Sequence, residues 1–366
     1  MTSSLAVSPS RLQVVVTSPG DVTPAALRAL AEGLVRPVTE VADAIFKAPT
    51  VLVDDLDADT ATALDRLLAS LGLESRVVPH GEVLPNDSRL DVAIQVQDAA
   101  RIAAITESLA TFLGVSSQRA FGLLATPPGV VLGGVGAAAV ESLARRLGEG
   151  AHVTRAPSDA GPFDLHLAPD ASVPAWLQAR LRDKQQTPRP GWLPLGLSYA
   201  EARSLWSSLG REGGIRLVNR ALMRWDLVLT AEATPTSDVL AWLEERFGIP
   251  PRVGPRVLAH PPLALAEACD EAHARQCLDE ARALGLAIDS EPSGFGRAGI
   301  ELLAASDAAR LKAVLTRFGL SETLRIPSRI VADLSDLEAR VLAHELAAAG
   351  ARTRFVDAAP TSGDMT

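Results

Sequence analysis

The stretch PTVLVDDLDADTATALDRLLASLGLESRVV, Pro49 to Val78, contains the pattern that organises the chain. A proline precedes a short β-branched run. Leu64, Leu67, Leu68 and Leu71 then recur at helical spacing and predict one apolar helix face. Gly72 supplies a residue free to adopt the left-handed conformation in which helices commonly end. A second β-branched run follows, so the stretch reads as strand, helix, strand.

The same order recurs along the chain. Pro128 opens PGVVLGGVGAAAVESLARRLGEGAHVTR, and Gly191 opens GWLPLGLSYAEARSLWSSLGREGGIRLV. Pro262 precedes LALAEACDEAHARQCLDEARALGLAIDS, and Pro327 precedes SRIVADLSDLEARVLAHELAAAGARTRFV. Each half-unit follows another strand and helix, starting at Leu12, Leu90, Phe163, Trp225 and Gly299. The repeat therefore has a period of roughly 60–80 residues. Helix starts are expected at Thr23-Pro24 and Thr234-Pro235, and helix stops at Gly72, Gly148, Gly210, Gly285 and Gly350. The expected fold class is α+β: about five tandem small modules, each a three-stranded sheet covered on one face by two or three helices. Their bounds are 12–80, 90–156, 163–222, 225–292 and 298–357, with 1–11 and 358–366 expected to be disordered. His80 to Asp87 and Ala156 to Pro162 read as linkers, and Gln185 to Gly191 as a loop.

In the first two copies a short extra helix, VTEVADAIFKAP from Val38 and VSSQRAFGLLATP from Val115, precedes the second strand. With the strand, helix and strand that follow, these segments resemble the C-terminal domain of the ribosomal stalk protein L7/L12. The likeness is strongest over 12–79 and 90–155, intermediate over 225–291, and weakest over 163–220 and 299–356. The stalk domain recruits translation GTPases through basic residues on its first two helices. Here the first helices of the first two copies offer only Arg28 and Arg101, while the last copy carries Arg310, Lys312 and Arg317 but passes from Gly319 to Pro327 without the extra helix. The ferredoxin-like SPOR modules show a similar pattern in their last helix and strand, but they act outside the cytoplasm, and no export signal is read here.

Composition narrows the function. A chain of 366 residues with 47% hydrophobic and 22% charged residues is globular in type, and its net charge of −9 argues against a polyanionic partner. No nucleic-acid partner and no membrane insertion are expected, since no apolar run reaches the roughly 18 residues a span requires. Lysine occurs only at Lys47, Lys184 and Lys312, and the Ala, Leu, Val and Arg bias points to a GC-rich bacterial genome. A cytoplasmic location is expected from the lack of a signal-peptide pattern.

Several residue groups invite chemistry. Asp55 and Asp57 at a strand end resemble the Mg²⁺-dependent phosphotransferase nucleophile motif of the haloacid-dehalogenase type, but acids also suit a helix N-terminus. Cys269, His273 and Cys277 fall at i, i+4 and i+8 of an expected helix. That spacing holds the two thiols about 12 Å apart and too far for one metal ion or a disulfide, so they are read as core residues. Aligning Gly285 with Gly72 sets Cys269 opposite Leu56 and Cys277 opposite Leu64. Gly133, Gly134 and Gly136 lack the Lys-Ser/Thr of a phosphate loop and read as a tight turn. The histidines, His80, His152, His166, His260, His273 and His344, are expected to be exposed or half-buried. Trp192, Trp206, Trp225, Trp242 and Tyr199 form an aromatic group suited to module interfaces or to a binding surface. The expected function is a non-enzymatic scaffold or adaptor in a bacterial cytoplasmic assembly, without cofactor. Its protein-binding residues would be Arg310, Lys312, Arg317, Trp206, Trp225 and Trp242. The alternatives are a Mg²⁺-dependent phosphohydrolase using Asp55 and Asp57, or a ribosome- or GTPase-associated factor.

Overall fold

The computed structural model describes residues 11–85, 88–168, 171–183, 191–209, 214–321 and 326–357. Among them the chain is mixed α and β, with 13 α-helices and five separate three-stranded antiparallel sheets. It divides into two compact units, Met1–Leu124 with Gly129–Asp159, and Ala125–Pro128 with Ala160–Thr366.

The first unit holds two sheets. Strand β1 (Leu12–Ser18) is followed by α1 (Pro24–Leu34), α2 (Val38–Phe46), β2 (Thr50–Leu56), α3 (Ala58–Ser70) and β3 (Glu74–Pro79), with sheet order β2-β1-β3. Next come β4 (Leu90–Val96), α4 (Ile102–Leu113), α5 (Ser117–Ala125), β5 (Val130–Val135), α6 (Ala137–Leu147) and β6 (Ala151–Pro157), ordered β5-β4-β6. Thr23 caps α1 by accepting the Ala26 amide, with Pro24 at the first helical position, as its sequence predicts. Val14 and Val16 project from β1 into a core with Leu30, Val41, Ile45 and Leu68. Leu64 and Leu68 of α3 and Leu71 just after it face this core, but Leu67 is 50% exposed, and the buried face runs through Ala61 instead. The two sheets of this unit are bonded together. Gly136, just before α6, donates its amide to the Phe46 carbonyl at 2.9 Å, and Arg146 donates to the carbonyls of Gly20 and Val22. Phe46 meets Phe112 edge to face at 5.3 Å.

The second unit holds three sheets. Its elements are β7 (Phe163–Leu167), α7 (Ala175–Asp183), β8 (Gly191–Leu197), α8 (Tyr199–Leu209) and β9 (Ile215–Asn219), then β10 (Trp225–Leu229), α9 (Ser237–Phe247), α10 (Gly254–Leu258), β11 (Leu263–Cys269), α11 (Glu271–Ala283) and β12 (Ile288–Pro292). The last are β13 (Arg297–Ala305), α12 (Ala308–Arg317), β14 (Ser328–Ser335), α13 (Asp336–Ala348) and β15 (Ala351–Asp357). Sheet orders are β8-β7-β9, β11-β10-β12 and β14-β13-β15, so in every sheet of the chain the first strand lies in the middle. The expected extra helix of the first two copies is present as α2 and α5, and α10 adds a third that the sequence reading did not identify. The cap of α9 is Thr236, which accepts the Val239 amide, rather than Thr234: Pro235 lies ahead of the helix instead of inside its first turn. The expected stop at Gly210 and most of the loop from Gln185 lie outside the described residues, as do the terminal segments 1–10 and 358–366; Gly72, Gly148, Gly285 and Gly350 follow their helices with positive φ.

One irregularity is common to all five sheets. The pairing of the central strand with the strand after the first helices slips by two residues along the ladder. Such bulges twist and bend the edge strand. Residues of positive φ occur at this slip in four sheets: Asp55, Gly134, Gly196 and Ala268. The slipped amide loses its ladder partner, and in three sheets a central-strand aspartate accepts it: Asp91 from Gly134 at 3.0 Å, Asp164 from Gly196 at 2.9 Å, and Asp226 from Ala268 at 2.8 Å. Glycines 133 and 134 therefore serve a bulge and not the tight turn expected.

A Cβ at Gly136 would lie 2.0 Å from the Ala48 carbonyl oxygen. Gly136→Ala is expected to separate α6 from the α2–β2 junction and to lower stability by about 2–3 kcal/mol. Urea unfolding of the full chain measures this, and an unchanged midpoint would refute the close approach.

Candidate functional site

The most elaborate polar cluster lies on the third sheet. Asp164, the second residue of β7, is 0% exposed. Its Oδ2 accepts Nε of Arg220 at 2.7 Å and the Trp192 indole N–H at 3.0 Å, while Oδ1 accepts Nη2 of Arg220 at 2.7 Å and the Gly196 amide. The guanidinium carbon also sits 5.9 Å from the centre of the Trp192 ring. The hydrogen bonds from Arg220 to Asp164 raise the arginine pKa further. Trp192 in turn meets Trp225, the first residue of β10, at 5.0 Å in an edge-on contact. All four of Asp164's close donors are thus structural, and the cluster ties the third sheet to the fourth. Sequence reading missed Asp164 and Arg220. The available signal was the recurrence of an aspartate between two apolar residues at the head of a central strand, in LDV, FDL and WDL.

His166, two residues along β7, is 8% exposed, contrary to the expected exposed or half-buried state. Its Nδ1 has no hydrogen-bond partner, and its ring lies edge-on to Phe295 at 5.4 Å. Burial, helped by the nearby Arg216 guanidinium, pushes its pKa down to about 4.

The other sequence candidates are dispersed. Trp225 and Trp242 are 7% and 8% exposed and belong to the core of the fourth sheet, so neither offers a ring to a partner. Trp225 packs on Trp192 with its own indole N–H left without a partner, and the Trp242 indole donates to Glu280 at 2.8 Å. Trp206 is 51% exposed on α8, seven residues and two turns from Tyr199, which is 43% exposed. Arg310 and Arg317 lie on one face of α12 and line an open groove of about 370 Å³ against Glu345 and Ala348 of α13. Arg317 forms an ion pair with Glu345 at 2.5 Å, and its guanidinium covers the Phe318 ring. Lys312, two residues from Arg310, emerges on the opposite side of α12, so the three cations do not form one patch.

The acids of β2 are held by neighbours. Asp57 caps α3, accepting the Thr60 amide and hydroxyl, each at 2.8 Å, and these bonds hold its pKa below the usual range. Asp55 sits at the bulge near Arg11, and Asp54 accepts from His80. Cys269 ends strand β11 instead of standing in a helix, because Asp270 caps α11 by accepting the His273 amide. Cys277 is fully buried, as its alignment with the core-facing Leu64 implies, and burial raises its thiol pKa. Cys269 pairs with Trp225 as Leu56 pairs with Leu12, the equivalence read from the sequence.

Asp164→Asn would leave the Arg220 charge without its counter-ion and is expected to cost about 3 kcal/mol in denaturant unfolding. His166 sets a pH dependence of the opposite sign to that of a histidine stabilised as a cation by an ion pair. Between its ordinary value of 6.5 and about 4, the unfolded chain binds a proton that the folded chain refuses. Stability contributed by neutral His166 is therefore complete above 6.5, falls as the pH drops through that window, and levels off below it, for a total of about 2–3 kcal/mol. His166→Gln should flatten this part of the stability–pH curve, and an unaltered slope would contradict the assignment. Comparison of the chain with protein-family models, with curated proteins and with solved structures returned no match.

Proposed function

We propose that this chain is a non-enzymatic scaffold or adaptor: five small α+β modules in sequence, similar to the stalk-protein C-terminal domain, that bind other proteins through diverged faces. The observation that carries the reading is one slipped ladder common to all five sheets, locked by a central-strand aspartate in three of them, beneath surfaces that differ from sheet to sheet. Residues suited to chemistry serve that framework: Asp57 is a helix cap, Gly136 a site of close backbone approach, and Cys277 a core residue. What varies is on the outside. Helix α8 presents Tyr199 and Trp206, large rings that lose little entropy on binding. Helix α12 presents Arg310 and Arg317 beside the Phe318 ring.

A protein partner in a bacterial cytoplasmic assembly fits these anchors, with aromatic contact at α8 and carboxylate contact at the α12–α13 groove. Among the described residues no helix is long and apolar enough to cross a membrane.

Crosslinking pull-down with the full chain tests the reading. Trp206→Ala and Arg310→Glu with Arg317→Glu should each deplete captured partners about tenfold or more, while Lys312→Glu, on the other side of α12, should have little effect. Equal capture by all variants would sink the assignment of these surfaces. Measurable Mg²⁺-dependent phosphatase turnover abolished by Asp55→Asn and Asp57→Asn would replace the reading with the enzymatic one.

A further inference from the structure

The sheets of the second unit differ on the face turned away from their helices. On the third sheet that face carries Asp164 and His166, both buried. Val218 and Trp192 of the same sheet join the core of the fourth, and Phe295 lies on His166. On the fourth and fifth sheets exposed charges of opposite sign stand on the strands beside the central one.

Residues paired directly across a ladder share a face. In the fourth sheet Glu291 pairs with Asp226, and Asp289 with Val228, on the side away from the core residues Leu227 and Leu229. Asp289 and Glu291 are both exposed. At the corresponding place in the fifth sheet Glu301 pairs with Arg329 on one side and Arg354 on the other, and Arg352 follows on the same face of β15. The three arginines are exposed, and the Arg354 guanidinium bonds to Glu301. On this face Arg297, Arg329, Arg352 and Arg354 stand with the carboxylates of Glu301 and Asp333, a local excess of positive charge in a chain whose net charge is −9.

We propose that these two faces are halves of one self-complementary surface whose occupant is a second copy of this chain. The Arg329, Arg352 and Arg354 face of one copy meets the Asp289 and Glu291 face of its partner, and a two-fold axis repeats the contact in reverse. Charge complementarity fixes the pairing. Two copies of a strongly acidic chain repel at long range, so only an orientation that places a local positive face on a negative one brings them together. This self-association is independent of the surfaces on α8 and α12 assigned to other proteins.

Sedimentation velocity of the full chain over a range of concentrations tests it, at about 50 mM and about 500 mM salt, where screening lengths differ severalfold. A dimer is expected at low salt, weakened at least about tenfold at high salt. Arg352→Glu with Arg354→Glu, and separately Asp289→Arg with Glu291→Arg, should each give monomers. Combining all four substitutions restores opposite charges and should restore the dimer, which also controls for misfolding. A wild-type chain that stays monomeric throughout, or a dimer indifferent to either charge reversal, would overturn the proposal, as would failure of the fourfold variant to recover.

Discussion

Everything else in this protein rests on how a short central strand satisfies backbone groups on both of its edges. Each sheet has three strands, so the first strand must bond to both neighbours, and a slip in one ladder leaves an amide without its strand partner. Where such a group is cut off from water, leaving it unpaired costs about 1–3 kcal/mol. A side-chain carboxylate placed on the central strand removes that cost at Asp91, Asp164 and Asp226. In the first sheet the solution is local: the Asp55 amide donates to the neighbouring Asp54 carboxylate. In the fifth, Gly299 stands at the aspartate position and the Arg329 side chain lies where a Cβ would project.

That device also explains where the molecule concentrates polar chemistry. At the third sheet the aspartate does more than capture an amide, because Arg220 and Trp192 converge on its two oxygens. A buried carboxylate with one bidentate guanidinium and two neutral donors is fully satisfied. It therefore holds two sheets together without leaving a charge available for reaction. His166 shows the opposite state, a polar ring buried with one nitrogen unpartnered.

The strand and helix order of the second halves was legible because periodicity and glycine stops are local signals. The Pro49 to Val78 reading matches β2, α3 and β3, and the alignment of Gly285 with Gly72 anticipates the pairing of Cys269 with Trp225. What the sequence concealed depends on neighbours distant along the chain. Leu67 has the same spacing as its fellow leucines yet points outward, since the width of the covered stripe is set by the sheet beneath. Trp225 and Trp242 look like surface anchors in composition, but one finds Trp192 and the other Glu280 across a fold the local pattern does not reveal. The cations of α12 were grouped by proximity in sequence, and a separation of two residues on a helix divides them.

Each sheet is assembled from a single unbroken stretch of polypeptide, with no strand borrowed from elsewhere. During synthesis the chain emerges from its N-terminus, so β1, β2 and β3 can close their hydrogen bonds before β4 has been made. Loop closure over such short spans carries a modest entropy penalty. Assembly can thus proceed by successive closure in the order of translation, and a nascent chain halted between sheets already holds complete ladders, with few unpaired edges waiting for sequence still to come.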